Sequence, residues 1–407
     1  MRILFLAHHY APEEVSGAVL ATELATDLVR RGHQVSFVTC APNYPNGEVL
    51  TGYKNSLLVK EMLDGVHVTR IWSYISPRKT FWPRILQYGT FSASAFYGAL
   101  LAGKPDLIFS YSPPLPLGVT AWLLSRIWQV PWILRVEDLF PEAAVVAGVL
   151  RNRLAVTFFN FLERFLYQKA THISLISEGF RQNLTSKSIS NEKLSVEPVW
   201  ADPEEIQPLP KENEFRQQHV LENCFVVLYA GNLGHNTALE DVIVAAEQLQ
   251  THNDIRFIIV GEGVKKTSLI ELAQEKHLKN VIFLPYQPRH SLSEMMASAD
   301  VSLVTLNKHA FHTSLPSKTF AIMASARPIL AVTPPESEIA RLVSQSFCGV
   351  NVPPGQPETL SKTILDLNVK HDLLEKMGRN GRIQLETNYS RKHCVGLYEN
   401  LIIQVFS

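Results

Sequence analysis

The sequence is poor in cysteine and lacks the cysteine patterns that bind zinc or build a disulfide framework. Its four cysteines, Cys40, Cys224, Cys348 and Cys394, lie far apart, and none forms a C-x-x-C pair. This scarcity argues against a secreted disulfide-rich protein and fits a reducing compartment. We therefore expect a cytoplasmic location.

An excess of charge is also missing, because 38 Lys and Arg balance 38 Asp and Glu. Proteins that wrap nucleic acid carry a basic excess, so we expect no nucleic-acid partner. Hydrophobic residues make up 46% of the 407 residues, which is enough for large buried cores and excludes a disordered chain. At about 150 residues per domain, the length predicts two or three domains.

Long apolar runs are scarce as well. The run from Ile3 to Ala7 is too short for a signal peptide and predicts a first buried strand. Residues 85–103 carry no charge over 19 positions, which reaches the lower limit for a membrane-spanning helix. Because this stretch includes Gln87, Thr90 and three glycines, we predict a buried or surface-lying segment there.

Several nucleotide-binding and catalytic motifs are absent. The sequence contains neither G-x-G-x-x-G nor G-x-x-x-x-G-K-[ST], which argues against a nicotinamide-dependent oxidoreductase and a P-loop enzyme. It also lacks a G-x-S-x-G elbow, a D-x-D pair and metal-ligand spacing, which argues against serine-hydrolase and metal-dependent chemistry. We expect no metal and no cofactor.

The sequence does contain a regular alternation of apolar runs and helical patterns. The first 40 residues predict a strand at Arg2–Leu6, a helix over 18–31 and a strand at 34–39. Further strands are predicted at 66–71, 106–110, 132–136, 171–176 and 194–199. This alternation indicates a parallel sheet with crossover helices.

The alternation stops at residues 201–213, a segment rich in proline and acid that predicts a linker. It then resumes, with a helix predicted over 239–249 and strands at 225–229, 257–260, 281–284, 301–305 and 329–332. The predicted fold is α/β, with two Rossmann-like doubly wound domains facing each other across a cleft. Their bounds are 1–200 and 201–390, and residues 391–407 are expected to form a helix that crosses back to the first domain.

Candidate ligand residues lie in the loops after strands, where the ligands of such sheets bind. In the second predicted domain, Gly231 to Gly234 and Gly261 to Gly263 follow successive strands. Glycine lets backbone N–H groups approach a diphosphate at a helix N-terminus. Either turn alone could be an ordinary strand-to-helix turn, but two together favour a ligand.

A third loop of this domain carries serines and a lysine. Ser314 or Ser317 could cap a helix, which would place N–H groups and Lys318 near its start. That arrangement suits a sugar hydroxyl or a phosphate, whereas a plain capped helix is the alternative. Because it is the third such loop in one domain, we favour the ligand.

In the first predicted domain, acids follow a strand. Glu137 and Asp138 come directly after the strand that contains Arg135. The two acids could orient an acceptor hydroxyl or act as a base, or they could pair with Arg135 in a structural role. Three further polar residues of the loop after the first strand, which we interpret as structural, are His8, His9 and Glu14.

Basic and aromatic residues alternate around the uncharged stretch. Residues 71–130 contain five basic residues and one acid, a composition that suits an anionic membrane surface. The residues expected to contact the membrane or acceptor are Arg78, Lys79, Trp82 and Arg84. Residues 151–169 are a second candidate, and core-facing helices with solvated charges are the alternative. We expect peripheral binding at the inner face of the cell membrane.

Taken together, these segments resemble a family-4 glycosyltransferase of the two-domain GT-B type over nearly the whole chain. The segments that carry the resemblance are 10–17, 31–35, 42–47, 138–142, 231–234, 260–263, 283–286, 299–301 and 315–318. Each is modest alone, but their order and spacing are specific. Within the family, the sequence is similar to bacterial sugar transferases of O-antigen and colanic-acid-type assembly, including the L-fucosamine transferase subgroup.

The resemblance implies a hexosyltransferase that moves a sugar from a nucleotide-diphosphate sugar, with a UDP-sugar favoured, to a lipid-linked or glycan acceptor. The implied setting is bacterial surface polysaccharide (O-antigen or lipopolysaccharide) synthesis. The implied reaction retains the anomeric configuration without a metal, and the donor phosphate assists deprotonation of the acceptor.

The resemblance also implies where the substrates lie, with the donor on the second domain and the acceptor on the first. The implied donor-binding residues are Gly17, Gly231, Asn232, Gly234, His235, Gly261, Gly263, Tyr286, Ser314, Leu315, Pro316, Ser317 and Lys318. The implied catalytic residues are Glu137, Asp138 and Lys318, with no metal ligands.

The sequence departs from the family at several positions. Two glutamates common in the family correspond to Thr313 and Ala321, and an arginine that grips the diphosphate corresponds to Asn232. Lys318 is the candidate substitute for that arginine, and Ala326 stands where glycine is common. These changes leave two alternatives: a non-catalytic GT-B partner in a glycan-assembly complex, or a nucleotide-sugar 2-epimerase.

Overall fold

The computed structural model describes residues 1–78, 81–146, 148–309 and 315–407. The chain divides into two units. The first contains residues 1–198 and 394–407, and the second contains residues 199–393. The domain bounds expected from the sequence, 200 and 390, lie within a few residues of these divisions.

The first unit is built on a sheet of eight strands, which are β1 Arg2–Leu6, β2 Gln34–Cys40, β3 Leu58–Leu63, β4 Val66–Ile71, β5 Leu107–Ser112, β6 Trp132–Val136, β7 His172–Leu175 and β8 Leu194–Val196. Their order in the sheet is β3-β4-β2-β1-β5-β6-β7-β8. Every neighbouring pair is parallel except β3 and β4.

Helices connect the parallel strands of this sheet, as parallel pairing requires. They are α1 Ser16–Arg30, α2 Phe81–Ala102, α3 Leu115–Trp128, α4 Glu142–Val146, α5 Arg153–Lys169 and α6 Glu178–Ser186. Helix α2 contains most of the uncharged stretch and buries Phe91, Ala95 and Ala99 on one side. None of the helices in the described residues has both the length and the apolar character needed to cross a membrane.

Aromatic rings on three central strands fill the core of the first unit. The register pairs Phe5 of β1 with Phe37 of β2 and with Phe109 of β5. Because paired residues of neighbouring strands point to the same face, the three rings meet, with centroids 5.6 Å and 4.9 Å from that of Phe5. Burying each ring contributes roughly 1.5–3 kcal/mol to folding.

The second unit is built on a wholly parallel sheet of six strands, which are β9 Phe225–Ala230, β10 Ile255–Val260, β11 Val281–Leu284, β12 Val301–Thr305, β13 Ile329–Val332 and β14 Gly349–Val352. Their order is β11-β10-β9-β12-β13-β14. Its helices are α7 Glu214–Gln218, α8 Leu239–Gln248, α9 Lys266–Glu275, α10 Leu292–Ala297, α11 Lys318–Ala324, α12 Glu338–Gln345, α13 Pro357–Asn368 and α14 His371–Gln384.

The last helix, α15 Arg391–Phe406, belongs to the first unit from Cys394 onward. Glu399 accepts hydrogen bonds from Arg31 Nη1 at 2.6 Å and His33 Nε2 at 3.0 Å. The hydroxyl of Tyr398 donates to the carbonyl oxygen of Glu197 at 3.2 Å. These contacts tie α15 to the loop between α1 and β2 and to the end of β8.

Two strands, β3 and β14, were not predicted from the sequence. Strand β3 lies at the edge of its sheet, and its alternation of exposed and half-buried positions, with Lys60 and Glu61, resembles a loop. Strand β14 is short and begins at Gly349, where a Cβ would overlap the carbonyl oxygen of Ile329. The predicted strand 194–199 was too long, since β8 ends at Val196.

Candidate active site

Two glycine loops of the second unit lie directly beside each other. The first follows β9, and the second follows β10, which is its neighbour in the sheet. The N–H of Gly231 donates to the carbonyl oxygen of Val260 at 2.9 Å, and the N–H of Leu233 donates to Glu262 O at 2.8 Å. The parallel pairing of the strands therefore continues into the loops.

Glycine is required in these loops because the backbones touch. Gly261 has φ +146°, and a Cβ at this position would overlap the carbonyl oxygen of Gly231. A Cβ on Gly263, where φ is +156°, would overlap the carbonyl oxygen of Leu233. The N–H groups of Gly231 and Gly261 already donate within the sheet, to Val260 O and Leu284 O. Close packing, rather than free N–H groups, thus explains these glycines.

The expected helix N-terminus after the first glycine loop is also placed differently. Helix α8 begins only at Leu239, and its first turn carries Glu240 and Asp241. Glu240 pairs with Lys265, and Asp241 accepts a hydrogen bond from Gly355 N at 2.6 Å. Since acids already occupy the first turn, the positive end of this helix is not the anion site that the sequence predicted.

Lys318 supplies the cation of this site. Its Nζ lies 3.5 Å from the centroid of the Tyr229 ring and would be 2.6 Å from a Cβ on Gly231. The Tyr229 hydroxyl donates to Asn232 O at 2.8 Å, which ties the ring to the same loop. Within the described ranges, no carboxylate pairs with Lys318. Burial lowers its pKa to about 7, so an approaching anion would restore a charge that burial disfavours.

The other expected donor-side residues are spread around this centre. Tyr286 follows β11, and its charge contributes to the raised pKa of Tyr229, so the two phenols are near each other. The side chain of His235 is exposed, and its carbonyl oxygen accepts from Asn307 Nδ2 at 2.6 Å. Leu315 and Pro316 are half-buried before α11.

Part of the serine loop was predicted wrongly, and part lies outside the described residues. Ser317 precedes α11 but makes no side-chain capping hydrogen bond. Its backbone φ and ψ are already helical, which removes the extended geometry that a capping serine uses. Ser314 and Thr313 lie outside the described residues, as does Lys79 of the expected membrane-contacting residues.

The acid pair of the first unit follows β6, as expected. Gly17, which begins the second turn-forming position of α1, lies beside it, since a Cβ on Gly17 would be 3.3 Å from Glu137 Oε2. Burial and the neighbouring Glu137 raise the pKa of Asp138 to about 7. Burial also raises the pKa of Glu137, while Arg135 and His9 oppose that rise. Near neutral pH, the pair can therefore hold one proton.

Arg135 does not pair with these acids through hydrogen bonds. Its Nη1 donates to Ser174 Oγ at 3.0 Å and to the carbonyl oxygens of Leu175 and Glu197 at 2.9 Å and 2.8 Å. Its guanidinium also lies 5.1 Å from the ring centroid of Tyr398. Arg135 thus joins β6 to β7, β8 and α15, which leaves Glu137 and Asp138 available for a chemical role.

A second group of polar residues beside the acid pair was not identified from the sequence. Glu13 is buried and accepts hydrogen bonds from the backbone N–H groups of Asn43 and Tyr44, both at 2.8 Å. It also accepts from His9 Nδ1 at 2.9 Å. A glutamate after a proline is typical of an exposed loop, so no local signal distinguishes Glu13 from its neighbour Glu14.

The expected membrane-contacting residues that are described lie before and within the first turns of α2. Trp82 is 71% exposed, and Arg78 and Arg84 are exposed as well. No group of three or more His, Cys, Asp and Glu side chains in the described part of the chain could hold a metal ion.

Comparison with known proteins identifies the family. A family model described as "Glycosyl transferase 4-like domain" matches residues 17–200, and one described as "Glycosyl transferases group 1" matches residues 210–384. The chain is 26% identical to the putative colanic acid biosynthesis glycosyl transferase WcaI of Escherichia coli K12, over 86% of this chain and 88% of that protein. It is 29% identical to the probable glycosyltransferase WbjE of Pseudomonas aeruginosa, over 71% and 72%.

The fold has solved relatives at low sequence identity. The crystal structure of Anabaena Alr3699/HepE in complex with UDP-glucose matches 99% of this chain and all of that chain, with a TM-score of 0.73 and 16% identity. The two parallel-sheet units, the order of their strands and the two family models agree on one architecture. The chain belongs to the GT-B glycosyltransferases that join a 4-like N-terminal domain to a group 1 C-terminal domain.

Proposed function

We propose that this glycosyltransferase takes its sugar from a nucleotide-diphosphate sugar, with a UDP-sugar favoured, and binds that donor at Lys318 and the glycine loops. The observation that carries the proposal is the position of Lys318 Nζ against the loop at Gly231, without a carboxylate partner in the described residues. A buried amine beside a close-packed loop gains most from an anionic ligand. The UDP-glucose complex of HepE supports the same donor class.

The proposed acceptor is a lipid-linked sugar or glycan of bacterial surface polysaccharide synthesis, such as O-antigen. Support comes from the colanic acid biosynthesis named for the relative WcaI. In the first unit, Glu137 and Asp138 would orient the acceptor hydroxyl. We further propose that the anomeric configuration is retained and that no metal takes part. In this reaction the acceptor oxygen bonds to the anomeric carbon, the bond to the diphosphate breaks, and the hydroxyl proton passes to the departing phosphate.

We also propose that the first unit binds an anionic membrane surface through α2, α3 and α5. The helices lie side by side, because Thr120 Oγ1 donates to Ser92 O at 2.7 Å and the rings of Trp122 and Phe165 are 4.9 Å apart. They expose large apolar side chains, which together we call the apolar face: Trp82, Leu86, Tyr97, Leu100, Leu123, Ile127, Leu154, Phe158 and Phe161.

The charges on and around the apolar face favour an anionic partner. The exposed basic residues of these helices and their ends are Arg84, Lys104, Arg126, Arg151, Arg153, Arg164 and Lys169. Residues 81–130 and 151–169 contain only two acids. Asp106 pairs with Arg2, and Glu163 is buried and pairs with Lys187. Two copies of so basic a face would repel each other, whereas anionic lipid would attract it.

The donor proposal is tested by thermal shift with UDP, GDP, CDP, ADP and NAD. A nucleotide present at 100 times its dissociation constant adds roughly 2.7 kcal/mol of stability, which raises the melting temperature measurably. We expect UDP to give the largest shift and NAD to give none. A shift with none of the diphosphates would contradict the proposal and favour the non-catalytic partner, as would the absence of a family glutamate at Ala321.

The membrane proposal is tested by co-sedimentation with lipid vesicles. We expect binding to vesicles that contain phosphatidylglycerol at low salt, a loss of binding at high salt, and little binding to phosphatidylcholine alone. Phe161→Ala should weaken binding by about fivefold or more, because it removes an aromatic side chain that would enter the bilayer surface. Phe347→Ala is the matched control, since Phe347 of the second unit is 74% exposed and Phe161 is 69% exposed. Equal effects of both variants would sink the idea.

A further inference from the structure

Glu13 is a buried carboxylate that joins two loops of the first unit. Its Oε1 accepts from the N–H groups of Asn43 and Tyr44, which follow β2. Its Oε2 accepts from His9 Nδ1 and from the N–H of Tyr10 at 3.3 Å, both of which follow β1. Burial alone would raise the pKa of Glu13, but the hydrogen bonds from His9, Asn43 and Tyr44 lower it below its usual value. Glu13 is therefore ionised and saturated with donors.

The ionised Glu13 determines where His9 carries its protons. Because a carboxylate only accepts, His9 must donate from Nδ1, and its Nε2 then faces His8 Nδ1 at 3.1 Å. His8 is buried, and burial and the neighbouring His9 lower its pKa well below the usual value, so His8 is neutral. A neutral His8 can either donate to His9 or accept from it, which lets His9 exist as a neutral ring or as a cation without movement of either ring.

His9 in turn acts on the acid pair. A positive charge on His9 lowers the pKa of Glu137, and the charge of Glu137 contributes to the raised pKa of Asp138. The two acids therefore receive opposite influences from their surroundings, which is the arrangement that separates an ionised carboxylate from a protonated one. Glu13 lies at the start of this series of contacts and touches neither acid directly.

We propose that Glu13 is a positioning residue of the acceptor side, which holds His9 as a cation beside Glu137 so that Glu137 stays ionised while Asp138 keeps its proton. The inference rests on the proposed acceptor role of Glu137 and Asp138. An ionised Glu137 accepts a hydrogen bond from the acceptor hydroxyl, and a protonated Asp138 does not compete with it as a second anion. The other titratable groups that face these residues are Cys40 and Tyr88 at His8, Tyr44 at His9, and Arg135 and Tyr111 at Glu137.

The decisive variant is Glu13→Gln. Asn43 and Tyr44 both donate to one oxygen, so the glutamine oxygen must stay there and its NH₂ must face His9. His9 Nδ1 then has to accept, which moves the ring proton to Nε2 and disfavours the cation. The measurement is a long-range ¹⁵N–¹H spectrum of histidine-labelled protein, which distinguishes the two ring tautomers. We expect His9 to carry its proton on Nδ1 in the wild type and on Nε2 in the variant.

A second readout follows the acids themselves, with UDP-glucose as the donor and water as the acceptor. Loss of the His9 cation raises the pKa of Glu137, so the acidic limb of the rate of UDP release should move up by about one pH unit. His9→Gln should move it in the same direction while leaving Glu13 intact, which keeps the test valid if Glu13→Gln folds poorly. The matched control is Glu14→Gln, because Glu14 is the exposed neighbour of Glu13.

The outcomes separate this inference from the proposed donor. An unchanged His9 tautomer in Glu13→Gln, or the same change in Glu14→Gln, would overturn the inference. So would an acidic limb that stays in place in both Glu13→Gln and His9→Gln. The spectrum requires no nucleotide, so failure of the nucleotide panel would leave the spectroscopic test intact.

Discussion

Replacing Lys318 with alanine is expected to lower kcat/KM for the nucleotide-sugar donor by about 100-fold, the usual effect of losing one group that stabilises the leaving diphosphate. The reason is local: Lys318 Nζ lies against the loop at Gly231 and over the ring of Tyr229. Folding should suffer little, because the lost cation–π contact contributes at most about 2 kcal/mol. Steady-state kinetics and a melting curve of the same preparation measure both quantities.

The control for this variant is Lys308→Ala, which removes an exposed lysine of the same unit and should leave the kinetics unchanged. The pH dependence of UDP binding gives an independent check. Lys318 without ligand loses its proton near pH 7, and a bound diphosphate raises its pKa. Affinity should therefore be full below about pH 7 and fall by up to tenfold per unit above it. The same slope in Lys318→Ala would remove Lys318 from the site.

Gly261→Ala is expected to destabilise the second unit by about 3 kcal/mol or more. The added Cβ would overlap the carbonyl oxygen of Gly231, and the φ of +146° is one that alanine adopts only under strain. For a unit of this size, such a loss lowers the melting temperature by roughly 6–12 °C. Because the two glycine loops must separate to admit the methyl group, UDP binding should weaken together with stability.

A matched control for Gly261→Ala exists in the first unit. Gly89 lies in α2, where φ is not positive and a Cβ would meet nothing within 4 Å. Gly89→Ala should therefore stabilise the helix by up to about 1 kcal/mol. If Gly261→Ala were tolerated as well as Gly89→Ala, the close contact between the glycine loops would be wrong.

Most of the fold could be predicted because both sheets are parallel and buried on both faces. Such strands appear in a sequence as continuous apolar runs, and the runs at Arg2–Leu6, 132–136 and 301–305 coincide with β1, β6 and β12. The edge strands escape this rule. Strand β3 presents charges to solvent, and β14 has four residues beginning with glycine, so neither forms an apolar run.

The candidate site was predictable only where it depends on local order. Glu137 and Asp138 follow a buried strand, and Lys318 begins a helix, so their types and positions drew attention. Glu13 is different, because its burial depends on N–H groups 30 and 31 positions away. The use of the glycine N–H groups within the sheet likewise depends on which strands are neighbours. Contacts set by tertiary structure leave no mark on the local pattern.

The discontinuous first unit sets an order of events during translation. Arg31, His33 and Glu197 leave the ribosome early, whereas their partners Tyr398 and Glu399 are synthesised only after the whole of the second unit. At ~5–20 residues per second, the interval is on the order of 10–40 s. During that time the nascent first unit exposes the surface that α15 later covers. The second unit, which is continuous in the chain, has all its residues before the first unit is complete.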